Sequence, residues 1–93
     1  MFRILAKEDL TPVTRQFIVL APEIARKAQA GQFVIVRLEP QGERIPLTIA
    51  DFDREQGTIT LVVQEVGAST KQMGTLRAGD AILDLAGPLG RPS

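Results

Sequence analysis

Apolar and polar residues alternate with period two along most of the chain, the pattern of strands with one buried face. Phe2-Arg3-Ile4-Leu5-Ala6-Lys7 predicts a first strand, and Leu10-Thr11-Pro12 a break, because proline fixes φ and removes a ladder donor. Val13, Arg15, Phe17 and Val19 then alternate with Thr14, Gln16 and Ile18 as a second strand. Pro22-Glu23-Ile24-Ala25-Arg26-Lys27 has proline first, acid early and base late, which suits one helical turn. Ala30-Gly31 turns into the clearest strand, residues 32–38. Beyond the loop Pro40-Gln41-Gly42-Glu43, Pro46-Leu47-Thr48-Ile49-Ala50 reads as a short strand and residues 53–57 as a hairpin turn. Residues 58–66 form a long strand ended by Gly67, and Ser69 is placed to cap a short helix over 70–76. A last strand covers 81–85 and is closed by Gly87-Pro88-Leu89-Gly90. About six short strands with one small helix late in the chain predict an all-β antiparallel barrel. Closure also protects edges as apolar as residues 33–36.

Composition narrows what such a barrel can do. The 93 residues suit one domain, spanning 1–93, with a single core and no second lobe. Lys+Arg and Asp+Glu are both 11, so the formal charge is zero, which argues against nonspecific nucleic-acid binding. Cysteine is absent, which excludes disulfides and thiolate-held metal or iron–sulfur centres within this sequence. Histidine is absent too, removing the usual general base and the commonest metal ligand. Asp51, Asp53 and Glu55 surround a predicted turn, and Glu65 and Asp84 lie in predicted strands. None of them makes a catalytic pair, and no metal site is expected. The N-terminus lacks a signal-peptide core and no run reaches transmembrane length, so cytoplasm is the expected compartment. The ending Gly90-Arg91-Pro92-Ser93 reads as a domain boundary within a longer protein.

Three segments could carry chemistry. The first is Arg44-Ile45-Pro46-Leu47-Thr48, where an arginine fork matched to phosphate precedes a hydroxyl four residues on. By itself it also fits a surface arginine beside an ordinary strand. The second is Val66-Gly67-Ala68-Ser69-Thr70-Lys71, where a strand meets small residues and a predicted helix. Unpaired N–H groups and two hydroxyls there suit an anion, though a capped helix after a glycine turn reads the same way. The third is Ala86-Gly87-Pro88-Leu89-Gly90, which either admits a close backbone approach or is a plain turn.

Taken in order and spacing, these segments resemble the FAD-binding barrel of the ferredoxin–NADP⁺ reductase family. Within it they are most similar to the electron-transfer subunits related to that of dihydroorotate dehydrogenase. Small subunits of sulfide dehydrogenase and NADH-dependent ferredoxin:NADP⁺ oxidoreductase belong to the same group. The runs that carry the resemblance are Ala30-Gly31-Gln32-Phe33-Val34, residues 42–51, Arg77-Ala78-Gly79-Asp80 and Gly87-Pro88-Leu89-Gly90. It implies a six-stranded antiparallel Greek-key barrel with one short helix, holding FAD. Arg44 and Thr48 stand for the arginine and hydroxyl of the family's Arg-x-Tyr-Ser-like motif, with Pro46 and Leu47 beside the isoalloxazine. This sequence has no tyrosine, and its arginine and hydroxyl are one residue further apart. The resemblance further implies that Gly67, Ser69 and Thr70 receive the pyrophosphate, while Gln64, Glu65 and Val66 offer mainly backbone contacts. NAD(P)H binding and any 2Fe–2S cluster would then lie on further sequence or a partner, and no membrane or nucleic acid is involved. The expected function is the flavin half of an NAD(P)H-dependent oxidoreductase, passing electrons to a ferredoxin or a second subunit. Alone, the domain is expected to carry no catalytic residue, to leave NAD(P)H unoxidised, and to pair with a second copy through a face its missing domain would cover. The competing expectation is a ligand-free barrel that binds a protein or nucleic acid. Four Phe, no Trp and no Tyr give that alternative few stacking platforms.

Overall fold

A computed structural model describes residues 1–92. Its strands are β1 (Phe2–Thr11), β2 (Thr14–Leu20), β3 (Phe33–Arg37), β4 (Arg44–Asp53), β5 (Thr58–Gln64), β6 (Ala81–Ile82) and β7 (Asp84–Leu89). Two short helices intervene, α1 (Pro22–Lys27) after β2 and α2 (Ala68–Gly74) after β5. The strands form one antiparallel sheet in the order β6-β1-β2-β5-β4-β3-β7. Its outermost members, β6 and β7, are consecutive in sequence and flank only Leu83. One bent segment thus joins both ends of the sheet and nearly closes it into a barrel. β3, β4 and β5 form a meander, and β2 lies beside β5, which is the Greek-key arrangement.

Alternation along the strands fills the barrel. Ile4, Phe17, Val19, Val34, Val36, Ile59, Leu61, Val63 and Ile82 are wholly buried. Each such side chain contributes about 1.5–3 kcal/mol relative to exposure. The helices add to the same core, α1 through Ile24 and Ala25, α2 through Met73.

The observed elements differ from the expected ones in several places: β4 runs over Arg44–Asp53 where 46–50 was expected, and β5 stops at Gln64, short of Val66. The expected sixth strand divides at Leu83, giving seven, and β7 runs through the glycine-proline segment to Leu89 instead of closing in a turn there. Gly87 permits this approach, because a Cβ there would meet Val34 Cγ1 at 2.9 Å, and its φ of 154° disfavours other residues. β1 continues to Thr11, so Pro12 and Val13 alone make the turn between paired Thr11 and Thr14. The α1 turn forms where expected, so the domain has two short helices. Finally, α2 begins at Ala68 with Gly67 as its N-cap, two residues ahead of the expected Ser69 cap.

Candidate functional site

β4 is in place from Arg44, yet its pairing with β5 starts only at Ile49 opposite Leu61. Residues 44–48 pair with β3 on one side and have no strand on the other. Pro46, opposite Ile35, sits in this unpaired stretch, where a missing N–H costs no ladder bond. The sheet therefore opens here, leaving a cleft of about 190 Å³. Glu43, Arg44, Ile45 and Pro46 line one wall, and residues 66–70 line the other.

The β4 wall is set by strand alternation. Ile45, Leu47 and Ile49 are buried in the core, while Arg44, Pro46 and Thr48 are exposed on the opposite face. Arg44's side chain has no hydrogen bond or ion pair among the described residues. Its cross-strand neighbour Arg37 is occupied, donating to Pro40 O at 3.0 Å and to Asp84 Oδ2 at 3.4 Å. Only one of the two paired arginines thus has its fork free for a ligand.

The second wall is a turn fastened from within. Thr70 Oγ1 accepts the Val66 and Gly67 N–H groups at 2.9 and 3.0 Å, and donates to Gly67 O at 3.0 Å. That hydroxyl is spent on the turn. Ser69 Oγ reaches across the cleft and donates to the Glu43 carboxylate. Below the turn, Met73 is wholly buried, and Lys7 Nζ donates to Gly74 O at 2.6 Å. Both contacts hold the helix end, so residues 66–70 are suspended from the core by α2.

The cleft brings together six of the ten residues expected at a site: Arg44, Pro46, Val66, Gly67, Ser69 and Thr70. Thr48 shares their outward face but stands beyond the lining. Leu47 points into the core, leaving only its backbone on this side. Gln64 closes β5 opposite Thr14. Glu65 turns its carboxylate to Arg15 NH2 at 3.1 Å and its N–H to Val13 O at 2.7 Å, away from the cleft. Sequence reasoning assigned no role to three lining residues, Glu43, Ile45 and Ala68, of which only Glu43 has a polar side chain. Its partner Ser69 lies 26 positions away, and the only local signal was an acid beside an arginine at a strand mouth. Among the described residues there is no acidic cluster able to hold a metal, and no helix long and apolar enough to cross a membrane.

The family model for the oxidoreductase FAD-binding domain matches residues 1–93. This chain belongs to that family. A Clostridium beijerinckii protein designated by its position in the adh 3′ region is 47% identical over 93 residues, covering 100% of this chain and 31% of its own. The Thermotoga maritima homolog of the dihydroorotate dehydrogenase B (NAD(+)) electron transfer subunit is 47% identical over 77 residues, covering 83% of this chain and 27% of its own. In structure, the FAD-binding domain superposes on a chain of an NADH-dependent reduced ferredoxin-NADP oxidoreductase with a TM-score of 0.97 and 41% identity. That match covers 100% of this chain and 34% of the other. The domain thus spans about a third of the length of these relatives.

Proposed function

We propose that this domain binds FAD with its phosphates in the cleft between residues 43–46 and 66–70, as the flavin-holding part of an electron-transfer oxidoreductase. The observation that carries the reading is Arg44: a guanidinium with no partner among the described residues, at the mouth of an opening in the sheet of an FAD-binding-family domain. Its donor fork suits phosphate oxygens. Ser69 adds a hydroxyl across the cleft, and a Cβ at Gly67 would meet nothing within 4 Å, so the turn leaves that approach open. From Arg44 to Thr48 the outward face runs about 13 Å along the strand. That length separates a phosphate at Arg44 from a ring lying on Pro46, with the Thr48 hydroxyl available to a ring heteroatom.

When bound, FAD supplies the transfer of one or two electrons between a nicotinamide and a one-electron carrier. The residues of this chain bind and orient it: Arg44 neutralises phosphate charge, Pro46 offers a rigid apolar surface, and the Met73-anchored turn holds the opposite wall. Hydride delivery by NAD(P)H and any iron–sulfur relay belong to other parts of the protein or to a second subunit. Ferredoxin, or a subunit with the dehydrogenase site, is the proposed electron partner. The names of the similar electron-transfer subunit and ferredoxin-NADP oxidoreductase support this assignment.

Titration of the purified domain into FAD, followed by flavin absorbance and fluorescence, tests the reading. The expected result is a saturable change of the flavin bands, with no bleaching when NADH is added. Free-flavin spectra at saturating protein concentration would refute it.

A further inference from the structure

Residues 66–70 hang between two anchor points, Glu65 after β5 and Gly74 at the end of α2, and one side chain joins them. The Glu65 N–H donates to Val13 O at 2.7 Å, just beyond the last β2–β5 pair, Thr14 and Gln64. Its carboxylate lies against Gly74, where a Cβ would meet Glu65 Cδ at 2.8 Å. The missing side chain at Gly74 therefore makes room for it. The same carboxylate meets Arg15 at 3.1 Å, and Lys7 Nζ donates to Gly74 O at 2.6 Å. Arg15 is itself fixed to the turn between β1 and β2. Its guanidinium donates to Thr11 O at 2.8 Å and Pro12 O at 3.0 Å, and meets Asp9 at 3.1 Å. Arg15 thus has two carboxylate partners, and only Glu65 adjoins the cleft wall. The Glu65 side chain is 18% exposed and that of Asp9 66%.

Resting on the flavin reading above, we propose that Glu65 is a positioning residue for the cleft. Tied to Arg15 and packed on Gly74, it holds the neck of the 66–73 segment shut. It thereby sets where Ser69 and the Gly67 backbone stand opposite Arg44. Its side chain acts through the wall and does not touch the ligand. Simple electrostatics predicts the opposite sign. Glu65 precedes Val66 of the lining, so deleting its negative charge would by itself tighten an anion. A weakening on its removal reports lost placement and not charge.

The test is FAD titration into the wild type, Glu65→Ala, Glu65→Gln and Asp9→Ala, with ¹H–¹⁵N spectra of each ligand-free domain. We expect Glu65→Ala to raise the FAD dissociation constant about three- to tenfold, the scale of one lost hydrogen bond. Glutamine fills the same space and still accepts from Arg15, so it should restore most of the affinity. Asp9→Ala takes the other carboxylate from the same arginine and should leave FAD affinity within about twofold. Without ligand, the 68–70 amides should shift in Glu65→Ala while those of 44–48 stay in place. Lys7→Met frees Gly74 O at the other anchor and should also weaken FAD, a second reading should Glu65→Ala fail to fold. Unchanged or tighter FAD binding in Glu65→Ala or Lys7→Met, an equal loss in Asp9→Ala, or unmoved 68–70 amides overturns the proposal while leaving FAD binding intact. If the wild type binds no FAD, the flavin reading falls and this proposal with it.

Discussion

The two walls of the cleft reach the same ligand-sized gap by different physical means. The β4 wall belongs to the sheet. Its register with β3 holds Arg44, Pro46 and Thr48 in line, and the buried faces of Ile45, Leu47 and Ile49 fix the strand's orientation. The wall at 66–70 has no ladder behind it. It depends on one hydroxyl that satisfies the turn and on one methionine driven into the core. The first wall contributes a free charge at no structural cost, because Arg44 holds nothing together. The second spends most of its polar groups on its own shape. Charge and shape are thus divided between the walls, and changes to each should have separable consequences.

The largest expected effect is on the suspended wall. Met73→Ala should lower stability by about 2–5 kcal/mol, read from chemical denaturation, because it leaves a cavity under α2. FAD affinity should fall with it. Next comes Arg44→Ala, which should raise the FAD dissociation constant at least about tenfold, the scale of a charge-assisted hydrogen bond. Its unfolding free energy should stay within about 0.5 kcal/mol of the wild type, because no partner is lost. Arg44→Lys should recover only part of the affinity, lacking the planar fork. A smaller effect is expected at Thr70. Thr70→Ala frees the Val66 and Gly67 N–H groups and should cost about 1 kcal/mol, with Thr70→Ser restoring most of it. If Arg44→Ala destabilised the fold as much as Thr70→Ala, the division between charge and shape would fail.

Much of this architecture was legible from alternation alone. Period-two runs located the strands from β1 to β5, although β5, expected to reach Val66, stops at Gln64 and leaves Gly67 to cap α2. The same rule, applied to residues 44–49, also argues against Leu47 as a ring contact. If Arg44, Pro46 and Thr48 face outward, Leu47 must face the core, as it does. Pro46 was read as the first residue of a short strand. It lies inside β4, where the strand has lost one neighbour, so it marks the opening of the sheet and not the start of the strand. That opening depends on where β5 stops pairing, a long-range property that local pattern does not encode. The Glu43–Ser69 contact is hidden for the same reason, since two separate loops must first be brought together. Thr70's role is local, three residues from Gly67, yet a hydroxyl that fastens a turn and one that greets a phosphate look alike in sequence.

The central claim is that both walls close on one FAD molecule. The most direct measurement is a ¹H–¹⁵N NMR titration of the domain with FAD, following each backbone amide. The account predicts that shifts concentrate in two separated stretches, 43–48 and 66–70, and saturate together at one ligand per chain. Shifts confined to one stretch, or centred elsewhere such as the turn between β1 and β2, would contradict it.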